Sequence, residues 1–493
     1  MSGPALILPV AVPLLAAGAL VAYPGDRRTH RLTASAVSAG VLLLSAVLLA
    51  GSLDGTVRHL SVGGWPPGFA IVFAADALSA LMLCVSAVLV LAGLAFAAGT
   101  GDDASPRFAP LVMVLSAGVY GAFLTADLFN LFVFIEVMLV PSYALLTMSG
   151  GRARTAAGRI YLTFSLLAST LLLAGVGLVY GVTGTVNLGE LAGAARQSTA
   201  AALACGAVLI ALAAKAAVVP LHGWLPRTYP QAPPAVTVLF SGLLTKVGVY
   251  GIIRIYAVVH DGTGLRWLIM AAALLTMVVG VLGAVGEPGM RGVLTFHMVS
   301  QIGYILLGLA LFTRAGLTAA VFYLVQYVLV KAALLMCAGA VETAYGTDRL
   351  DRVGSLARRE PPLAAAFLVS ALSLAGLPPL SGFVAKLGLI RAAAAEADHL
   401  AVGIAVGVSF LTLVSMVKIW AGAFWGGEDL SREESALRLL ARTTVRPALA
   451  VPALVLTVPS VVFGIAAQPL LTAAAEAAGG LLDVSAYAGA VTR

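Results

Sequence analysis

About fourteen stretches of this chain stay apolar for some 20 residues each. An α-helix needs about that length to cross the roughly 30 Å hydrocarbon core of a bilayer. The runs lie near 4–23, 34–52, 76–98, 108–126, 128–148, 159–182, 201–230, 235–257, 266–286, 291–312, 317–343, 362–396, 400–426 and 447–468. They are continuously apolar and do not alternate at period two, so helices are expected and not barrel strands. Only 10% of residues are charged, against roughly 25% in soluble domains. The expected fold is an all-α polytopic membrane protein of about 14 transmembrane helices. The run from Pro4 has no basic segment before it and reads as a first span, not a cleaved leader.

The 24 arginines set the expected topology. They are read as lying in loops or near helix ends, and 17 fall after odd-numbered spans. Among these are Arg27, Arg28, Arg31, Arg152, Arg154, Arg159, Arg291, Arg432, Arg438 and Arg442. The remaining 7, including Arg493, fall on the other side. The positive-inside rule then puts the odd loops in the cytoplasm and both termini outside. On this reading the net charge of +7 serves topology and not nucleic-acid binding.

The five lysines behave in the opposite way. Lys215, Lys246, Lys331, Lys386 and Lys418 all fall inside apolar runs. Lys418, close to the end of its run, has the plainer reading of a side chain reaching for the interface. Lys215 and Lys246 are too deep for that. The stretch FNLFVFIEVMLVPSYALL adds one acid, Glu136, among aromatic and aliphatic neighbours. A lone carboxylate in hydrocarbon is costly, so Glu136 needs a compensating charge, and Lys215 is the leading candidate. A lysine in apolar surroundings gives up its proton more readily, and a nearby carboxylate counters this. Such a pair works as a proton switch if its members can separate.

Lys246 has no acid in its own run, but Ser241 and Thr245 stand close in FSGLLTKVGVY. His222 and His297 add groups that titrate nearer neutral pH. Glu136, Lys215, Lys246, Lys331, Lys386, His222 and His297 are the candidate proton pathway. Asp76 and Asp127 open their spans, where a helix N-terminus favours an anion, so capping explains each as well as a functional role does. Glu342 reads as a solvated helix end.

Spans four to eight and nine to thirteen look like two copies of one pattern. The fourth member of each set is broken by proline, in KAAVVPLHGWLP and in LPPLSGFVAK. Pro220 lacks an N–H, so the carbonyl of Ala216 is expected to lose its helical partner. Copies of five spans must have opposite orientation, and inverted repeats with broken helices mark ion pathways.

Other classes are disfavoured. No phosphate-binding loop, dinucleotide fingerprint or haem-attachment motif is present. Cys84, Cys205 and Cys337 are far apart and lack metal-ligand spacing, so neither a metal nor a cofactor is expected.

DLFNLFVFIEVMLVPSYALL, KAAVVPLHGWLPRTYPQAPPAVTVLFSGLLTKVGVYGIIRI and LPPLSGFVAKLGLIRA resemble the proton-translocating antiporter-like family. Mrp-type multisubunit Na⁺/H⁺ antiporters and the large membrane subunits of respiratory complex I share it. The resemblance covers nearly the whole chain. It implies fourteen helices with two inverted five-helix repeats, broken at helices seven and twelve. The implied division is 1–105 for helices 1–3, 106–258 and 259–427 for the two repeats, and 428–493 for a cytoplasmic loop and helix 14. By resemblance, Glu136 matches the glutamate of the fifth helix, Lys215 the lysine of the broken seventh and Lys246 that of the eighth. Lys386 matches the ionisable group of the broken twelfth helix, associated with the proton exit. Many relatives carry histidine one turn before the lysine of span eleven, where this chain has Gln326 and Tyr327.

The implied function is a proton-translocating subunit of a cation (Na⁺)/H⁺ antiporter. Its partners would be the other Mrp antiporter subunits, in a bacterial cell membrane. The rival is a proton-pumping subunit of a complex I-like or membrane-bound hydrogenase complex. A third reading is a non-conducting assembly scaffold.

Overall fold

A backbone inside a bilayer must satisfy its own N–H and C=O groups, so apolar length becomes helix. The computed structural model describes residues 3–23, 25–65, 70–426 and 444–492. Six helices come first: α1 (Leu8–Ala22), α2 (Arg27–Ala50), α3 (Ala77–Thr100), α4 (Phe108–Leu124), α5 (Leu128–Thr147) and α6 (Arg152–Thr183). A short α7 (Ala194–Gln197) leads to α8 (Thr199–Lys215), α9 (Trp224–Thr228) and α10 (Pro234–His260). Three long helices follow, α11 (Arg266–Gly286), α12 (Met290–Leu311) and α13 (Arg314–Tyr345). After a short α14 (Leu356–Arg359) come α15 (Pro361–Ala375), α16 (Ser381–Ala395) and α17 (His399–Ile419). The chain closes with α18 (Pro447–Ile465), α19 (Gln468–Leu482) and α20 (Ser485–Val491).

Among the described residues, eleven helices are long and apolar enough to cross a membrane, and α4, α8 and α15 are shorter apolar helices. Burial sorts them. The α10 and α13 stretches are wholly buried and α12 nearly so, whereas α2, α17 and α18 keep most of their surface outward. α10 and α13 pack on each other, and α13 also touches α3, α12, α15, α16, α18 and α19. The core of the bundle is therefore the pair of helices that carries Lys246 and Lys331.

Several expected boundaries move. α2 begins at Arg27, not near residue 34, because Asp26 caps it by accepting from Thr29 N at 2.9 Å. Arg27 and Arg31 thus stand on a helix and pair with Asp103 across the bundle. Arg152, Arg154 and Arg159 likewise belong to α6. The part of the expected cytoplasmic loop holding Arg432, Arg438 and Arg442 lies outside the described residues, as does Arg493.

Two further elements are too short to register as apolar runs. A hairpin of β1 (Arg58–Ser61) and β2 (Val72–Ala75) pairs antiparallel with Arg58 opposite Ala75. Val72 O also accepts from Ala126 N at 2.9 Å, tying the hairpin to the α4–α5 turn. α19 escapes a span search because it has only 15 residues. Its buried Leu470, Ala473, Ala474, Ala477, Ala478 and Leu481 follow helical spacing and seat it on α13 and α3.

Candidate functional site: a buried line of ionisable side chains

The first helix break forms earlier than the proline argument places it. α8 already ends at Lys215, and Ala217 takes a positive φ of 59°. The carbonyl of Ala214 accepts from Ala217 N at 3.2 Å and from Trp224 Nε1 at 3.0 Å. Val219 N donates to Thr276 Oγ1 at 3.1 Å, pinning the break to α11. Lys215 thereby stands at a helix end with its amine turned toward α6. His222 sits partly buried inside the break.

The second break lies between α15 and α16. Gly382 lets the two halves cross, since a Cβ there would stand 1.7 Å from Ser373 O. Lys386 then folds back, and its Nζ donates to Ala375 O at 3.2 Å. The peptide bonds Val219–Pro220 and Pro378–Pro379 are both cis.

The four axis lysines are buried, with relative exposures of 6% for Lys215, 3% for Lys386 and 0% for both Lys246 and Lys331. Lys246 Nζ donates to Ser241 O at 2.6 Å and to Thr245 Oγ1 at 3.2 Å. Serine and threonine do meet Lys246, Ser241 through its backbone. Lys331 Nζ has no hydrogen-bond partner among the described residues. His297 Nε2 lies 2.6 Å from Ser415 Oγ, and its Nδ1 is left without a partner.

Glu136 corrects a specific expectation. It acts electrostatically on Lys215 but makes no ion pair with it. Lys215 Nζ instead donates to Ser169 Oγ at 2.9 Å and Ser165 O at 3.0 Å. Glu136 Oε1 is a buried acceptor with no hydrogen-bond partner among the described residues. Sequence reasoning misses Ser165 and Ser169 as the partners of Lys215, although both lie on the inward stripe of α6.

The remaining groups lie near one another: Lys331 is within electrostatic range of Lys246, and His297 within range of both Lys331 and Lys386. Lys215 and Lys246 are joined by packing, for Gly248 of α10 presses against the end of α8. A Cβ there would stand 2.8 Å from Ala216 N. Near Lys386, Gln326 Oε1, Ser373, Ser381 and Ser460 form a polar patch with spacings of 3.2–3.3 Å. Buried polar groups left unpaired are natural water sites.

Three expectations about charges change, while Lys418, outside the candidate pathway from the start, stays apart. Its Nζ donates to Val285 O at 2.7 Å and Glu287 O at 2.6 Å, capping the end of α11. Arg254 lies neither in a loop nor at a helix end but buried in α10, 2.7 Å from Asp76. Asp76 therefore does more than cap α3, although its capping box with Ser79 is present. Glu342 is not merely solvated, since Arg291 Nη1 meets it at 2.6 Å. Asp127 caps α5 as expected, through Asn130 N at 2.6 Å. The three cysteines are free.

Known proteins resemble this chain in sequence and fold. The profile described as NADH:quinone oxidoreductase/Mrp antiporter, TM, matches residues 125–412. A Na(+)/H(+) antiporter subunit of Alkalihalophilus pseudofirmus is 36% identical, with 98% of each chain covered. A chain in the structure of the Mrp complex from Dietzia sp. DQ12-45-1b is 46% identical, with a TM-score of 0.95 and 99% of each chain covered. A chain of the membrane-bound sulfane sulfur reductase, an archaeal respiratory membrane complex, is 26% identical, with a TM-score of 0.87. That likeness covers 99% of this chain and 100% of the other.

Proposed function

This chain belongs to the NADH:quinone oxidoreductase/Mrp antiporter family of membrane proteins, and on that premise we propose that it is a proton-translocating subunit of a multisubunit Na⁺/H⁺ antiporter. It is a transporter subunit and a multi-pass membrane protein. It works beside the other subunits of an Mrp-type complex, in the bacterial cell membrane. The greater identity to the Mrp complex chain than to the respiratory reductase chain favours this over a redox-driven pump.

The eleven long apolar helices and three shorter ones support fourteen spans, with α8 and α9 as the broken seventh and α15 and α16 as the broken twelfth. Both termini lie outside on this reading. Residues 1–105 hold the first three spans, 106–258 and 259–427 the two inverted repeats, and 428–493 a cytoplasmic loop and the last span.

The observation that carries the function is the buried line itself. Lys246, Lys331 and His297 lie on the three least exposed helices, Lys215 and Lys386 are buried at the two helix breaks, Glu136 stands on α5, and His222 sits at the first break. Intramembrane charges of this kind are costly and are kept for a role. The conformation described has Lys215 seated on α6, apart from Glu136. When Lys215 swings to Glu136, the carboxylate stabilises the ammonium. When it returns to the serines, the apolar surroundings favour the neutral amine. The proton so released passes to the central lysines through buried water, and Lys386 delivers it to the far side. Na⁺ is the counter-ion.

Everted vesicles carrying the complete complex test this. Glu136→Gln should abolish Na⁺-dependent ΔpH while the complex still assembles at the normal level. Normal transport by that variant sinks the proposal. Normal transport by both Glu136→Ala and Lys215→Ala would leave the scaffold reading standing.

A further inference from the structure

Lys246 and Lys386 sit on different helices, yet the same kind of surface covers each ammonium. Lys246 Nζ lies 4.5 Å from the ring centroid of Tyr327, and Lys386 Nζ 4.7 Å from that of Tyr304. Those two rings are the ends of one stack. Tyr304 and Tyr323 are 5.5 Å apart at 18°, and Tyr323 and Tyr327 are 6.0 Å apart at 21°. All three rings are fully buried.

Two of the three hydroxyls are engaged elsewhere. Tyr304 Oη donates to Ala405 O at 2.6 Å, and Tyr323 Oη donates to Gln301 Oε1. Tyr327 Oη has no partner among the described residues, and neither lysine is bonded to a tyrosine oxygen. What each lysine meets is the ring face. A phenol at position 327 also does not titrate near neutral pH, so this side chain is ill suited to hand a proton onward.

We infer that the Tyr304–Tyr323–Tyr327 stack is a positioning element for proton transfer, its two end faces holding the protonated amines of Lys246 and Lys386 by cation–π attraction. The negative face of an aromatic ring attracts a cation, more strongly where water is excluded. Among the described residues Lys246 has two oxygen contacts and Lys386 one, too few for the three donors of an ammonium. The ring faces supply the missing stabilisation without a fixed acid, which would trap the proton. Tyr323 keeps the end rings parallel. This role rests on the proton-pathway reading above.

The test uses everted vesicles with the whole complex, assembly being checked on native gels. Tyr327→Phe keeps the ring and should retain at least about half of the transport rate, whereas Tyr327→Leu should lose about fivefold or more. Phenylalanine carrying one, two and three fluorines at position 327 separates charge from shape, because fluorine drains the ring face with little change in size. Transport should fall stepwise along that series. A flat series, or a Tyr327→Phe rate as low as that of Lys246→Ala, overturns the inference. Normal transport by Lys246→Ala would instead strike at the underlying pathway, which keeps the two failures apart.

Discussion

Lys215 donates to Ser169 Oγ at 2.9 Å and leaves Glu136 unpaired. The amine thus rests on a neutral seat, within electrostatic range of a carboxylate it does not touch. A hydrogen bond of this kind contributes about 0.5–1.5 kcal/mol net. Ser169→Ala should therefore shift Lys215 toward Glu136 and slow turnover severalfold. Ser169→Thr, which keeps the hydroxyl, should stay near the parent rate. Na⁺-dependent ΔpH at matched complex levels reads the difference, and equal rates for the two variants would dismiss the seat.

Arg254 and Asp76 join the middle of the bundle to the start of α3. Removing one member of a buried pair strands the other charge, at a cost of about 3–5 kcal/mol. Arg254→Met should therefore lower the melting temperature of the extracted complex. Adding Asp76→Asn should recover part of the loss. A double variant no more stable than Arg254→Met would contradict this.

Gly382 lies where α15 and α16 cross. A methyl group 1.7 Å from Ser373 O cannot be accommodated without moving a helix half. Gly382→Ala should sharply reduce folded protein in the membrane. Gly403 of α17 has nothing within 4 Å of its Cβ position and should accept alanine freely. Immunoblots of membrane fractions compare them.

Asp103 lies between α3 and α4, outside the membrane spans. Burial works to raise its carboxyl, but hydrogen bonds from Arg31 and Arg27 outweigh this and hold it below the ordinary value of 3.8. A depressed folded-state value adds stability above the unfolded value, and that stability fades as pH falls through the lower one. The contribution should be complete near neutral pH and lost only in strong acid. Asp103→Asn should flatten that acid limb of the melting temperature plotted against pH.

Lys418 caps α11 through two carbonyls and stands apart from the buried line. Lys418→Gln should keep transport within about twofold while costing roughly 1 kcal/mol of stability. Transport as low as that of Lys246→Ala would instead place Lys418 in the pathway.

Membrane residence, helical class and the presence of lysines deep inside apolar helices are all legible in the order of residues along the chain. Hydrocarbon tolerates only self-satisfied backbone, and it makes each buried charge conspicuous against its neighbours. The two helix breaks are readable from Pro220 and Pro378–Pro379, though α8 in fact stops at Lys215. Arg254 is misplaced by sequence reasoning because an arginine in GIIRIY has no signal for its partner, which is 178 positions away. α19 is missed because a 15-residue amphipathic helix falls below the length of a span.

The sequence by itself determined which side chains carry charge into the bilayer, since that depends only on local hydropathy and length. Tertiary structure alone decided what each charge meets. Lys215 meets serines, not Glu136; Lys246 and Lys386 meet opposite ends of one aromatic stack; Lys418 meets a helix end. Hydropathy is a property of each residue, whereas a contact depends on how helices distant in sequence rotate and cross. Close packing at Gly248 and Gly382 sets those rotations, and nothing in the local pattern encodes them.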